Sequence, residues 1–200
     1  MDNVSGINTA KAVKSMISGL ASMTVFTFFW FGVAFYGAIN NPYRWLLLPF
    51  VLLCILFIFY IIKLLALNKT IPLITENSKT DAEKKKDKLF MMAVAAEGVG
   101  IFIAINVVAN LHHPELEVPA MALVVGLHFF PMAKVFDRKM DYYIGAWTVL
   151  VAVIAIAFKI NNTFSQATML LFTGVGLALA TSIYGINMLS SSKKLLANNL

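Results

Sequence analysis

The sequence predicts an all-α integral membrane bundle of six transmembrane helices with both termini in the cytoplasm. Three observations predict it. Apolar residues make up 60% of the 200 residues and charged residues 13%, with a mean hydropathy of +0.79, whereas a soluble domain carries about a quarter charged residues. Six apolar windows meet or approach the length of about 20 residues that a helix needs to cross the hydrocarbon. On the resulting threading, 14 of the 16 Lys and Arg residues fall on one side and only Arg44 and Lys159 on the other. By the positive-inside rule the crowded side is cytoplasmic. Removing any one helix would scramble that split.

Residues 1–18 read as a short interfacial helix. Val4, Ile7, Val13, Ile17 and Leu20 share one helical face while Asn8, Lys11, Lys14 and Ser15 lie elsewhere, a pattern suited to the cytoplasmic leaflet. The first apolar window, 20–39, is longer than the core of a signal peptide and reads as the first span. Window 45–67 is the second. It holds the single cysteine, Cys54, so neither an intrachain disulfide nor a cysteine-based metal site can form. A cytoplasmic loop over 68–88 follows, in which Thr80, Asp81, Ala82 and Glu83 spell a capping box. The third helix therefore starts near Asp81 and carries its lysines out of the membrane, its span covering 89–111. Lys84, Lys85, Lys86 and Lys88 make a solvated collar that suits contact with anionic lipid.

The fourth window, 118–136, contains His128, Pro131 and Lys134, as expected of a kinked helix packed inside the bundle. Windows 142–158 and 164–189 complete the count, and 191–200 is a cytoplasmic tail. Tyr43 and Trp45 mark the outer boundary, and Tyr142, Tyr143 and Trp147 the inner one. The whole chain is one membrane domain of two halves, 19–111 and 118–190.

The halves resemble each other. Thr27-Phe28-Phe29 with Phe35 aligns at one offset with His128-Phe129-Phe130 and Phe136. Glu97-Gly98-Val99-Gly100-Ile101 with Ala104 aligns at another with Thr173-Gly174-Val175-Gly176-Leu177 and Ala180. Three helices per half is an odd number, so a genuine repeat would be inverted, as in many channels and secondary transporters. Chance similarity between stretches rich in Phe, Gly, Val and Ala is the bland alternative.

An ionisable side chain deep in a bilayer costs about 2.5–3.5 kcal/mol on insertion scales and therefore marks a site or a structural pair. Glu97 and His128 reach the same mid-membrane depth when counted from the ends of their helices at about 1.5 Å per residue. Ala93, Gly100 and Ala104 share the Glu97 face and admit a close neighbour. The repeat would bring Thr27 and Thr173 to that layer, which gives a candidate proton or substrate pathway of Glu97, His128, Thr27 and Thr173. Pro131, one turn after His128, frees a backbone carbonyl. Asn106, about opposite Glu97, is expected to bond to a neighbouring span.

Soluble-enzyme motifs are absent: there is no phosphate loop, dinucleotide fingerprint, HExxH or serine elbow. No cofactor and no metal is expected. His112, His113, Glu115 and Glu117 lack tetrahedral-site spacing and suit the start of the next helix, and His128 is too far in depth from the outer histidines to share a haem. The net charge of +6 is topogenic, not a nucleic-acid signal. Partners are the bilayer itself and further copies of the chain in a homo-oligomer.

The stretch Gly126-Leu127-His128-Phe129-Phe130-Pro131-Met132-Ala133 through Phe136, followed by Tyr143 and Gly145, resembles a signature of small multi-pass bacterial membrane proteins. The resemblance covers about the last two-thirds of the chain. It implies a bacterial cytoplasmic membrane and no particular substrate. Three functions fit the residues: a transporter or channel with Glu97 and His128 carrying protons, an accessory subunit pinned by that pair, and a membrane-embedded lipid enzyme with His128 as base.

Overall fold

In the computed structural model, which describes residues 2–70 and 80–197, the protein is an all-α bundle of six long helices, each apolar enough to cross a membrane. They are α1 (Asp2–Gly37), α2 (Leu48–Thr70), α3 (Asp81–Asn110), α4 (Glu117–Phe136), α5 (Lys139–Ile160) and α6 (Gln166–Ala197), with single 3-10 turns at Arg44–Leu47 and Pro114–Leu116. The expected capping box opens α3. Thr80 Oγ1 accepts from the Glu83 amide at 3.3 Å, and Glu83 Oε2 accepts from the Thr80 amide at 2.9 Å. Lys84 pairs with Asp81 at 3.3 Å on the exposed first turn. Most of the expected 68–88 loop is thus helical at both edges, and residues 71–79 lie outside the described part.

The three hairpins from α3 to α6 close by one device. His112, Asp137 and Asn162 adopt left-handed backbone with φ of 61°, 53° and 55°. In each case the next residue's amide reaches the carbonyl five residues back: His113 to Val108 at 2.9 Å, Arg138 to Ala133 at 3.1 Å and Thr163 to Phe158 at 2.8 Å. These are Schellman-type helix ends, made with His, Asp and Asn, the non-glycine residues that best tolerate this conformation.

Helix α6 is the axis. Two-thirds of its membrane window is buried, against none of the α3 window. Helices α1, α2, α4 and α5 all pack on α6, whereas α3 packs chiefly on α4. The α1–α6 seam is the tightest. A Cβ added to Gly174 would sit 2.4 Å from the Ala34 nitrogen, so only glycine lets these backbones meet. The outer surface is apolar throughout its middle, with Leu52, Ile62, Val99 and Phe102 all exposed, as lipid contact requires. Tyr43 and Trp45 stand exposed at one end and Tyr142 and Tyr143 at the other.

Two boundaries differ from expectation. The segment expected as a separate interfacial helix runs into the first span as one helix, Asp2–Gly37. Val13 and Leu20 are fully buried and pack with Leu64, Leu67, Met188 and Leu196, so long-range burial holds this part of α1 upright. The expected tail likewise continues α6 to Ala197. Its Ser190 and Ser192 hydroxyls bond to carbonyls four residues back, at 3.1 and 2.9 Å, which satisfies them within the helix.

Candidate functional site

Glu97 and His128 do meet. His128 Nδ1 lies 3.6 Å from Glu97 Oε2 and 3.2 Å from the Ala93 carbonyl oxygen, on the seam between α3 and α4. Small residues make this approach feasible. Ala93 and Gly100 flank Glu97 on α3, and a Cβ at Gly100 would come within 2.9 Å of a Val124 methyl. At 3.6 Å the two side chains are in contact without a hydrogen bond between them. A charged pair bonding fully would close to about 2.7–2.9 Å. The ring N–H is therefore free to bond to Ala93, and the carboxylate stands one small shift from the imidazole.

The pair is not sealed. Its side chains are 11% (His128) and 18% (Glu97) exposed and border a recess of about 340 Å³ whose walls include Met92, Ala96, Val124, Pro131 and Val135. Pro131 forms part of that wall, and α4 stays helical through it.

Thr27 and Thr173 do not join the pair. Thr27 is fully buried on α1 and donates to Thr181 Oγ1 at 2.9 Å, while Thr181 donates to the carbonyls of Leu177 and Ala178 at 3.1 and 3.2 Å. Thr173 is also fully buried, but its hydroxyl has no hydrogen-bond partner among the described residues. Residues 173 and 181 are two turns apart, about 12 Å along α6. The α1–α6 crossing sets Gly174 at Ala34 and Thr181 at Thr27, so the register that would place Thr173 opposite Thr27 is not the one formed. Asn106 also departs from expectation. Its Nδ2 donates to the Phe102 carbonyl of its own helix at 2.7 Å and the side chain is exposed.

A second polar group went unread in the sequence. Asp141, 2% exposed in the first turn of α5, faces the hydroxyl of Tyr184 and the guanidinium of Arg138. Arg138 Nη1 donates to that same hydroxyl at 3.2 Å. One carboxylate oxygen, Oδ1, has no hydrogen-bond partner among the described residues. His128 lies within electrostatic reach of this carboxylate. The available signal was that Asp141 falls at the start of the fifth window, on the side toward which Tyr184 lies in the sixth. Beside Arg138 and Lys139 it is indistinguishable in sequence from an ordinary interfacial charge.

At the opposite end, His113 Nδ1 meets Glu115 Oε1 at 2.9 Å. Among the described residues no group of three or more His, Cys, Asp or Glu is placed to hold a metal ion.

No protein-family model, curated protein or solved structure matches this chain.

Proposed function

We propose that the protein is a proton-linked transporter of the bacterial cytoplasmic membrane, in which Glu97 and His128 take up and release the proton. The observation that carries this reading is an acid and an imidazole 3.6 Å apart at mid-helix, bordering an open recess instead of being locked in a dry contact. A pair that served only to pin α3 to α4 would be expected to be closed and fully bonded. Asp141, Tyr184 and Arg138 supply the lysine-rich side of the path: a buried carboxylate, a hydroxyl that passes hydrogen bonds and a cation at the surface. That side is taken as cytoplasmic from the basic-residue split, and Lys84, Lys85, Lys86 and Lys88 hold it against anionic headgroups.

Reconstituted into vesicles under an imposed pH gradient, the native chain should pass protons. Glu97→Gln and His128→Ala should each lower the flux at least tenfold while remaining folded. Loss of thermal stability in both variants, with no flux from the native chain, would reject the reading in favour of a structural pair. A second reading has its own observation. Apart from Glu97 and His128 the recess is walled by apolar side chains, among them Leu89, Met92, Val124 and Val135, as a lipid-modifying enzyme with His128 as base would need. Turnover of a phospholipid by the native chain, lost in His128→Ala, would favour it.

A further inference from the structure

A larger hollow lies away from the Glu97–His128 recess and shares no residue with it. It is a groove of about 950 Å³ between α1 and α2, at the upper end of the roughly 300–1,000 Å³ usual for ligand sites. Val25, Phe28, Phe29 and Gly32 form one wall, and Ile55 and Ile58 the other. Its polar side chains are distributed unevenly. At the deep end Thr24 bonds to its own Leu20 carbonyl at 2.7 Å, and Cys54 to the Thr24 carbonyl at 3.7 Å, so neither offers a free group. At the far end, away from the lysines, the groove meets Glu115, Glu117 and Gln166.

Length and charge say what fits. From Thr24 to Tyr36 the α1 wall runs twelve residues, about 18 Å at 1.5 Å each, close to the roughly 15 Å of one leaflet's hydrocarbon. The groove therefore reaches from near the midplane to one interface, and its charged residues gather at that interface. Glu115 is occupied by His113 at 2.9 Å and lies in reach of Lys159. Glu117 has no ion-pair partner among the described residues, which leaves its carboxylate free for a cation. It is also the first residue of α4, as Gln166 is of α6, so both polar side chains sit where their helices begin at this end of the groove.

We propose that this groove binds a phospholipid whose headgroup carries an ammonium, one acyl chain lying between α1 and α2 and the ammonium meeting Glu117. The site is independent of the transport reading.

The test is thermal unfolding of the purified protein in detergent micelles, titrated with phosphatidylethanolamine and separately with phosphatidylglycerol. At about ten times the dissociation constant, phosphatidylethanolamine should raise the melting temperature by about 3–5 °C, and phosphatidylglycerol by less than half as much. Gly32→Leu should plug the groove without disturbing the unliganded protein, since a Cβ at Gly32 meets nothing within 4 Å. The lipid shift should then vanish. Ile55→Trp, at an exposed wall position, is the second plug should the first perturb folding. Glu117→Gln should keep a shift with both lipids but lose the preference. Equal shifts from the two lipids in the native protein, no shift from either, or an undiminished shift in both plugged variants would each overturn the proposal. So would a cross-linked dimer that the plugs abolish, since the occupant would then be a second copy of the chain.

Discussion

Replacing Gly174 with alanine tests the central seam of the bundle, because the added methyl would point at backbone rather than at a movable side chain. Its Cβ would fall 2.4 Å from the Ala34 nitrogen and 2.8 Å from both Cα and Cβ of Ala34. Ordinary contact needs about 3.5–4.0 Å, so α1 and α6 must part by about 1 Å along the seam. Overpacking a well-filled contact costs typically about 1–3 kcal/mol, and with backbone on both sides the upper figure applies. For a chain of this length each kcal/mol moves the melting temperature by about 2–4 °C, which gives a fall of about 6–12 °C. Gly32→Ala and Gly98→Ala are the controls. Nothing lies within 4 Å of a Cβ at either position, so each should leave stability unchanged or raise it by about 0.5–1 kcal/mol through helix propensity. Tryptophan fluorescence in detergent reports the melt, with Trp30 at 2% exposure lying one turn from Ala34. If Gly174→Ala melts as late as Gly32→Ala, the close α1–α6 approach does not exist and the arrangement built around α6 is wrong.

Two further substitutions separate the proton path from the packing. Thr27→Val removes the 2.9 Å bond to Thr181, whose own donor stays satisfied by the Leu177 and Ala178 carbonyls. The cost should be about 0.6 kcal/mol, a fall of about 1–3 °C in melting temperature, with proton flux in vesicles unchanged; a collapse of flux would return Thr27 to the pathway. Asp141→Asn keeps the size of the side chain beside Tyr184 and Arg138 but removes its titrating carboxyl. Flux should fall about tenfold or more with a melting temperature shift of under about 4 °C, roughly the effect of 1 kcal/mol, and native-like flux would sink the proposed route through this residue.

What could be read from the sequence alone was whatever depends on position along the chain. The capping box at Thr80 and Glu83 is local, four consecutive residues whose hydrogen bonds involve nothing else. The meeting of Glu97 and His128 follows from depth, and depth follows from counting residues at a fixed rise. What escaped is what depends on azimuth and on the choice of neighbours. Thr27 and Thr173 were at plausible depths, yet which α6 hydroxyl Thr27 meets is decided by a crossing that Gly174 and Ala34 set, and that crossing selects Thr181. Asp141 was hidden by its neighbours, since beside Arg138 and Lys139 it resembles any interfacial charge until Tyr184 folds over it. The upright start of α1 is a tertiary effect too. Leu64, Leu67 and Leu196 cover Val13 and Leu20 only once three helices have assembled.

The position of α3 bears on how the proposed site would work. Two inverted halves moving about a shared central cluster would require the buried α6 core to rearrange. Instead the pair sits on an outer seam, carried by a helix that buries none of its residues and packs chiefly on α4. Moving α3 against α4 disturbs few buried apolar contacts, and elements of that kind are the ones that open at low free energy. Protonation of Glu97 or His128 would change the attraction across this one seam, so on the proposed reading a charge change would act on the position of α3. On the proposed reading the densely packed α1–α6 axis would serve as the fixed frame, and α3, held chiefly by α4, as the part whose position a proton would bias.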